Sequence, residues 1–106
     1  MTANSVKDMK AAVAKGPIAV SVDAAGRFWS SYKSGVIDSK TRCGTSLDHA
    51  VLVAGYGTDP ASGEGYWLVK NSWGADWGEK GYIKLAIVEG KGTCGVQMEP
   101  LIVATN

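Results

Sequence analysis

The sequence has 106 residues, a length typical of one domain, and its 45% hydrophobic and 20% charged residues indicate a globular chain with one core. Eleven basic and ten acidic residues are scattered along the chain and leave a net charge of +1, so no basic stripe is available to neutralise phosphates. The longest apolar runs, such as residues 50–54, are far too short to span a membrane. Nucleic acids and membranes are therefore not expected partners.

The chain begins with a predicted amphipathic helix over residues 5–15. Ser5 and Asp8 have the spacing of a helix-capping pair, and apolar residues recur on one face until a glycine–proline pair ends the pattern. Residues 18–23 then alternate between aliphatic and small or polar side chains, which predicts a strand. Residues 24–35 contain three aromatic side chains and are predicted to be a turn-rich stretch.

Four further strands are predicted at residues 49–56, 66–72, 81–89 and 101–104. The segment between the first two of these strands is polar and rich in glycine, so the two strands are expected to form a hairpin with a long loop. One N-terminal helix followed by a mostly antiparallel sheet predicts an α+β fold.

The hairpin places a histidine and an asparagine at the same end of the predicted sheet. His49 opens one strand and Asn71 lies at the end of its neighbour, so antiparallel pairing brings the two side chains close together. An imidazole beside an amide is the base and its orienting partner in a Cys–His–Asn catalytic system, in which the base takes a proton from a thiol. The alternative is that a lone histidine on a strand is merely structural, which is the more frequent case.

Two long segments resemble a known enzyme family. Residues 47–57, with the sequence LDHAVLVAGYG, resemble the histidine segment of papain-like (cathepsin-type) cysteine proteases, and residues 70–82, with the sequence KNSWGADWGEKGY, resemble the asparagine segment. Residues 16–24 and 32–37 match the family as well, so the resemblance covers nearly the whole chain from Ser5 onward. It implies the C-terminal, β-rich half of such a protease, with an antiparallel, barrel-like sheet and peptide-bond hydrolysis by the complete enzyme.

The same resemblance assigns roles to five residues. His49 would be the catalytic base and acid, and Asn71 would orient it. Trp73 would cover the hydrogen bond between them and exclude water, which strengthens such a bond, while Trp77 would line the leaving-group side of the cleft. Asp48 matches an acidic position beside the histidine and would tune the charge of the site. Core packing is the plainer interpretation of both tryptophans, and it is compatible with a role at the site.

Three further residues resemble the second specificity pocket, which receives the residue before the one at the cleavage site. Ser21 and Ala50 match its walls, and Glu99 matches its floor. Small walls leave space for a bulky aliphatic or aromatic side chain, and a carboxylate at the floor pairs with arginine. The resemblance therefore predicts a complete enzyme that accepts arginine as well as leucine or phenylalanine, unless Glu99 is an ordinary solvated carboxylate.

The two cysteines, Cys43 and Cys94, allow by count alone a disulfide, two free thiols, or a nucleophile with a spare thiol. Both positions resemble the disulfide partners in this half of the family fold, which implies a bridge between them. A disulfide in turn implies a parent protein that is lysosomal, vacuolar or secreted. One histidine and a bridged cysteine pair cannot complete a zinc site, so neither a metal nor another cofactor is expected.

The family's nucleophile is not recognisable in this sequence. Its reactive cysteine lies in a C-G-[SA]-C-[WY] segment roughly 130 residues before the histidine, and no such segment occurs here. We therefore expect residues 1–106 to form a single domain that is inactive alone, with an added or disordered start at residues 1–4 and no targeting signal. Its expected partners are a complementary N-terminal domain that carries the cysteine, a peptide or protein substrate, and a cystatin-like inhibitor or propeptide.

The face that meets the complementary domain would be exposed in this chain alone, which favours self-association.

Two other functions compete with a protease domain. One is a stand-alone, non-catalytic binding module that engages protease inhibitors or propeptides, and the other is a disulfide-stabilised structural domain. The retained His49, Asn71 and Trp73 argue against the structural domain. A binding module has no need of a base and its orienter, so the protease domain is the preferred interpretation.

Overall fold

The computed structural model describes residues 3–25, 27–37 and 43–102. In chain order its elements are α1 (Val6–Val13), β1 (Ile18–Val22), α2 (Arg27–Ser31), β2 (Val36–Ile37), β3 (His49–Thr58), β4 (Gly65–Lys70), β5 (Tyr82–Ala86), a 3-10 turn (Thr93–Gly95) and β6 (Pro100–Ile102). The predicted helix is α1, and the five predicted strands correspond to β1, β3, β4, β5 and β6. Residues 1–2 of the predicted start and residues 103–104 of the last predicted strand lie outside the described residues.

Helix α1 begins at the predicted capping pair. Ser5 Oγ accepts the backbone N–H of Asp8 at 3.2 Å, which satisfies one of the donors that a helix N-terminus leaves free. Met9 and Val13, on the inner face, are buried in the core. The backbone N–H of Asn4 donates to the carbonyl oxygen of Gln97 at 2.7 Å, so the start of the helix is tied to the segment that precedes β6.

The six strands form one mixed sheet in the order β2-β5-β4-β3-β1-β6. All neighbouring strands are antiparallel except β2 and β5, which are parallel. The predicted α+β fold with a mostly antiparallel sheet is confirmed, and the term barrel-like fits only loosely, because the described strands leave the sheet open with β2 and β6 at its ends. The chain crosses from β1 to the far edge through α2, so no hairpin turn sets the direction of β2.

Helix α2 replaces part of the turn-rich stretch predicted at residues 24–35. Trp29 and Tyr32 lie three positions apart, which places both rings on one side of a helical turn, and both are buried. Five residues are too few for a helix that is stable by itself, so the burial of these two rings stabilises α2. As a result, α2 carries Trp29 into the core.

A disulfide holds the segment that leads into β3. Cys43 is bonded to Cys94 in the 3-10 turn, with a Cα–Cα distance of 5.1 Å, which confirms the pairing that the family resemblance implied. The buried carboxylate of Asp23 accepts the backbone N–H of Ser46 at 3.1 Å. The segment is therefore fixed at two points just before His49.

The core lies on one face of the sheet, where alternate strand residues are buried. Its fully buried strand residues include Val20, Val22, Val53, Trp67, Val69, Ile83 and Leu85. Among the described residues, the alternate strand residues on the opposite face are half-buried or exposed, except Ala86 at the end of β5, which is fully buried. In the described part of the chain, no helix is long and apolar enough to cross a bilayer.

Candidate active site

The β3–β4 hairpin brings His49 and Asn71 together. His49 is the first residue of β3 and pairs with Val22 of β1, while Asn71 directly follows β4. Leu52 pairs with Lys70, so the asparagine lies at the same end of the sheet as the histidine. His49 Nε2 and Asn71 Oδ1 are 2.7 Å apart, which agrees with the proximity predicted from the hairpin.

A second hydrogen bond fixes the asparagine amide and therefore the histidine tautomer. Asn71 Oδ1 also accepts the backbone N–H of Ser72 at 2.7 Å, which assigns the amide oxygen to the side facing His49. An amide oxygen accepts and does not donate, so His49 Nε2 carries the hydrogen in the bond between the two side chains. In the neutral imidazole, Nδ1 is then the proton acceptor.

The asparagine is held firmly from its other sides. Its side chain is buried, with 4% of the residue exposed, and its backbone N–H donates to the carbonyl oxygen of Gly81 at 3.0 Å. This backbone bond closes the base of the loop between β4 and β5, which carries Trp73 and Trp77. Asn71 Nδ2 has no hydrogen-bond partner among the described residues. The amide is therefore oriented by its oxygen.

Two indole rings pack against the imidazole. The Trp73 ring lies 5.3 Å from the His49 ring, centroid to centroid, and the edge-on Trp29 ring lies 6.4 Å away. Trp73 is 44% exposed and Trp29 is fully buried, and their rings also contact each other with centroids 6.4 Å apart, so the imidazole packs against a pair of indoles of which one faces solvent. Trp73 thus contacts the imidazole, and the predicted shielding of the His49–Asn71 hydrogen bond by this indole remains a prediction.

Trp77 contacts the site through the other tryptophans. Its ring stacks on Trp29, with centroids 5.9 Å apart and planes 9° from parallel, and it meets Trp73 edge-on at 5.4 Å. Its indole Nε1–H donates to the Trp29 backbone carbonyl at 2.6 Å. Trp77 thus packs against both rings that touch His49, and its predicted place beside the leaving group remains a prediction.

Asp48 is bonded to the backbone that follows β1. Its Oδ1 accepts the N–H of Ala24 at 2.9 Å, and its own N–H donates to the carbonyl oxygen of Val22 at 3.0 Å. These two bonds fasten the beginning of β3 to the end of β1. Asp48 therefore fixes the position of the neighbouring His49, in addition to its predicted effect on the charge of the site.

The three predicted pocket residues belong to three adjacent strands or their ends. Ser21 pairs with Ala50 across β1 and β3, and Pro100 of β6 pairs with Val20 of β1. Extending that register by one residue places Glu99, which is exposed, beside Ser21. The row Ala50, Ser21 and Glu99 therefore runs across the end of the sheet that carries the histidine.

An open, mostly apolar pocket lies beside the histidine–asparagine pair. It is lined by Ala50, Val51, Leu52, Lys70, Asn71 and Ser72.

Within residues 3–25, 27–37 and 43–102, no three His, Cys, Asp or Glu side chains are grouped closely enough to hold a metal ion.

Two features of the site do not follow from the sequence reasoning. Trp29, which was only one of three aromatic side chains in the predicted turn-rich stretch, contacts His49 directly. Tyr32 and Glu79, which were assigned no role, are hydrogen-bonded to each other at 2.9 Å beside Trp77. The three-residue spacing of Trp29 and Tyr32 was the available signal for a helical turn, but nothing local indicated which side chains the two rings would meet.

A histidine held by an asparagine amide is an arrangement that cysteine hydrolases use for their base. Comparison with known sequences agrees with this class, since the family described as papain family cysteine protease matches residues 1–104. The chain therefore belongs to the papain family of cysteine proteases.

Individual relatives show the same similarity over part of their length. Cysteine protease 1 of Oryza sativa subsp. japonica is 48% identical over 97 residues, which are 90% of this chain and 19% of that protein. The structure of the bromelain protease from Ananas comosus with the E64 inhibitor has a TM-score of 0.84 and 50% identity, covering 93% of this chain and 45% of that one. The structure of the proform of the ragweed pollen allergen Amb a 11, a cysteine protease, has a TM-score of 0.89 and 37% sequence identity. The match covers 98% of this chain and 31% of that one. The chain thus spans less than half of each of these relatives.

Proposed function

We propose that this chain supplies the base-bearing half of the active site of a papain-like cysteine endopeptidase. The hydrogen bond between His49 Nε2–H and Asn71 Oδ1 carries this proposal, because it leaves His49 Nδ1 as the acceptor for the proton of a thiol. The resulting thiolate attacks the peptide carbonyl carbon, and His49 then gives the same proton to the departing amine. A water molecule, deprotonated by His49, hydrolyses the acyl-enzyme and restores the thiol.

The thiol must come from outside this chain. The sequence contains two cysteines, and both are consumed in the Cys43–Cys94 disulfide. We infer that the nucleophile belongs to a complementary domain, and the coverage of only 45% of the bromelain protease by this chain is consistent with a second domain. We infer that the chain alone is inactive, because a general base without a nucleophile provides only half of the reaction.

The relatives suggest which molecules meet the assembled site. The bromelain protease binds the E64 inhibitor, and the ragweed protease has a proform. We propose by analogy that peptide substrates, cystatin-like inhibitors and a propeptide approach the same end of the sheet, where Ala50 and Trp73 are exposed. The disulfide supports an oxidising compartment for the parent protein, such as a vacuole, a lysosome or the cell exterior.

Hydrolysis of a fluorogenic peptide tests the proposal directly. The chain is assayed alone and after refolding with a nucleophile-bearing half of a papain-family protease, and that half is also assayed alone. We expect turnover only in the mixture. Turnover by the chain alone would overturn its assignment as a half-site. A mixture that is inactive but binds a cystatin-like inhibitor would instead support the non-catalytic binding module.

The carboxylate of Glu99 gives a separate prediction about specificity. Replacing Glu99 with alanine in the reassembled enzyme is expected to reduce the preference for arginine over leucine at the second substrate position roughly tenfold, the scale of one charge-assisted hydrogen bond. Glu89→Ala is the matched control, because Glu89 is also exposed but follows β5. An unchanged ratio of kcat/KM values for the two peptides in Glu99→Ala would show that Glu99 is only a solvated side chain.

A further inference from the structure

We propose that Tyr32 and Glu79 are positioning residues that hold the Trp29–Trp77 stack against the His49 imidazole. This inference rests on the proposed catalytic role of His49, but it concerns two residues to which the family resemblance assigned no role and which do not line the pocket. The two residues do not touch His49. They act through a continuous series of contacts that joins three segments of the chain.

The first contact ties the β4–β5 loop to the segment after α2. Glu79 Oε2 lies 2.9 Å from the Tyr32 hydroxyl and accepts the backbone N–H of Gly35 at 3.1 Å. The Tyr32 hydroxyl is also 2.6 Å from the carbonyl oxygen of Gly35, so the two acceptors share its single proton. Glu79 Oε1 is 3.6 Å from Lys84 Nζ, which holds the other side of the carboxylate. One carboxylate therefore fastens the loop to both Tyr32 and Gly35.

A glycine allows the loop to approach this closely. Gly78 has a φ of +59°, and a Cβ placed there would lie 2.6 Å from the Tyr82 carbonyl oxygen and 3.0 Å from Tyr32 Cδ2. Any side chain would therefore push the loop away from the tyrosine ring. The absence of one lets Trp77 pack against Tyr32, with ring centroids 5.6 Å apart.

The remaining contacts reach the histidine. Trp77 stacks on Trp29 and donates its indole N–H to the Trp29 carbonyl at 2.6 Å, so a shift of Trp77 is transmitted to Trp29. The Trp29 and His49 rings in turn form a T-shaped pair with centroids 6.4 Å apart. Since Trp29 is fully buried, close packing allows it little independent movement. The Tyr32–Glu79 pair thus sets the position of the Trp29–Trp77 stack beside the imidazole.

The Tyr32 hydroxyl stays protonated in this network. Burial raises the pKa of Tyr32 well above its ordinary value, the backbone N–H of Lys84 partly opposes this shift, and the neighbouring Glu79 adds to it. The hydroxyl is therefore a donor throughout the neutral range. It keeps the loop fastened under the conditions in which the histidine would work.

The experiment uses the fact that His49 is the only histidine in the chain. In the ¹⁵N-labelled chain its ring resonances are unambiguous, and the exchange of its Nε2 hydrogen with water reports the opening of the bond to Asn71. In Tyr32→Phe and Glu79→Ala, the exchange rate is expected to rise roughly tenfold, the scale of one lost hydrogen bond. The carbon-bound ring resonances are expected to shift, because the indoles around them move.

Three variants separate positioning from general destabilisation. Tyr56→Phe removes a hydroxyl from the far end of β3, and Glu89→Ala removes a carboxylate outside the network, so both are expected to leave the His49 signals unchanged. Glu79→Gln keeps an acceptor for Tyr32 and Gly35 and is expected to restore slow exchange. Tyr32→Phe retains the buried ring, and its far-ultraviolet circular dichroism establishes that the variant is folded.

The outcomes distinguish this inference from the proposed function. If folded Tyr32→Phe and Glu79→Ala keep the exchange rate and ring resonances of the unaltered chain, the positioning role is wrong whatever the reassembled enzyme does. If the signals change as expected but the reassembled enzyme shows no turnover, the positioning of His49 stands and the proposed protease activity fails.

Discussion

Replacing His49 with glutamine is expected to lower kcat of the reassembled enzyme roughly 10²- to 10⁴-fold, the usual contribution of a general acid–base group. Glutamine retains a polar side chain at the start of β3, but it cannot accept and return a proton near neutral pH. The thiol would then remain protonated, and the departing amine would lack its proton donor. Hydrolysis of a fluorogenic peptide measures the change, with Tyr56→Phe on the same strand as a control.

The corresponding change at Asn71 is expected to be smaller. Asn71→Ala leaves the imidazole in place but removes the oxygen that selects its tautomer, so we expect a fall in kcat of roughly 10- to 100-fold with little change in KM. A reassembled His49→Gln enzyme that retains more than a tenth of the activity would show that another group is the base. An Asn71→Ala enzyme with full activity would show that the indole rings of Trp29 and Trp73 orient His49 without the amide.

Removing the disulfide is expected to produce the largest loss of stability. The bridge joins residues 51 positions apart, and the loop-entropy model assigns about 4 kcal/mol to closing a loop of this length. The double variant Cys43→Ser, Cys94→Ser is therefore expected to unfold at a much lower urea concentration than the unaltered chain. A domain of this size has little stability in reserve, so a large fraction of the variant is expected to be unfolded at 37 °C.

Reduction provides the internal control for this prediction. Under a thiol reductant, the unaltered chain is expected to lose stability until its urea midpoint matches that of the double variant, whose own midpoint does not move. Equal midpoints for the oxidised chain and the double variant would contradict a stabilising role for the bridge. The comparison uses the same chain in both redox states, so it excludes effects of the serine substitutions themselves.

The parts of the fold that were predictable are those controlled by local chemistry. The Ser5–Asp8 spacing predicted the start of α1, and counting along the β3–β4 hairpin predicted that His49 and Asn71 would meet. Both inferences depend on residues close in sequence or joined by one turn. The family resemblance added the disulfide, which spacing alone left undecided between several states of the cysteines.

The parts that were missed depend on contacts between distant segments. The hydrogen bond between Tyr32 and Glu79 joins residues 47 positions apart, and the indole N–H of Trp77 reaches a carbonyl 48 positions earlier. The parallel pairing of β2 with β5 likewise joins two strands that are far apart in sequence, with β3 and β4 between them. No periodicity within a segment encodes such meetings, because they are decided by how the whole core packs.

The placement of both members of the histidine–asparagine pair on one hairpin affects how an active site is assembled from two halves. The proton on Nε2 is assigned within this chain, before any encounter with a thiol-bearing partner. When such a partner binds, the imidazole is already oriented by Asn71. Less of the association free energy is therefore lost to ordering the base. Under the proposed function, this chain would supply a preorganised base, and a thiol-bearing partner would have to place its thiol within reach of Nδ1.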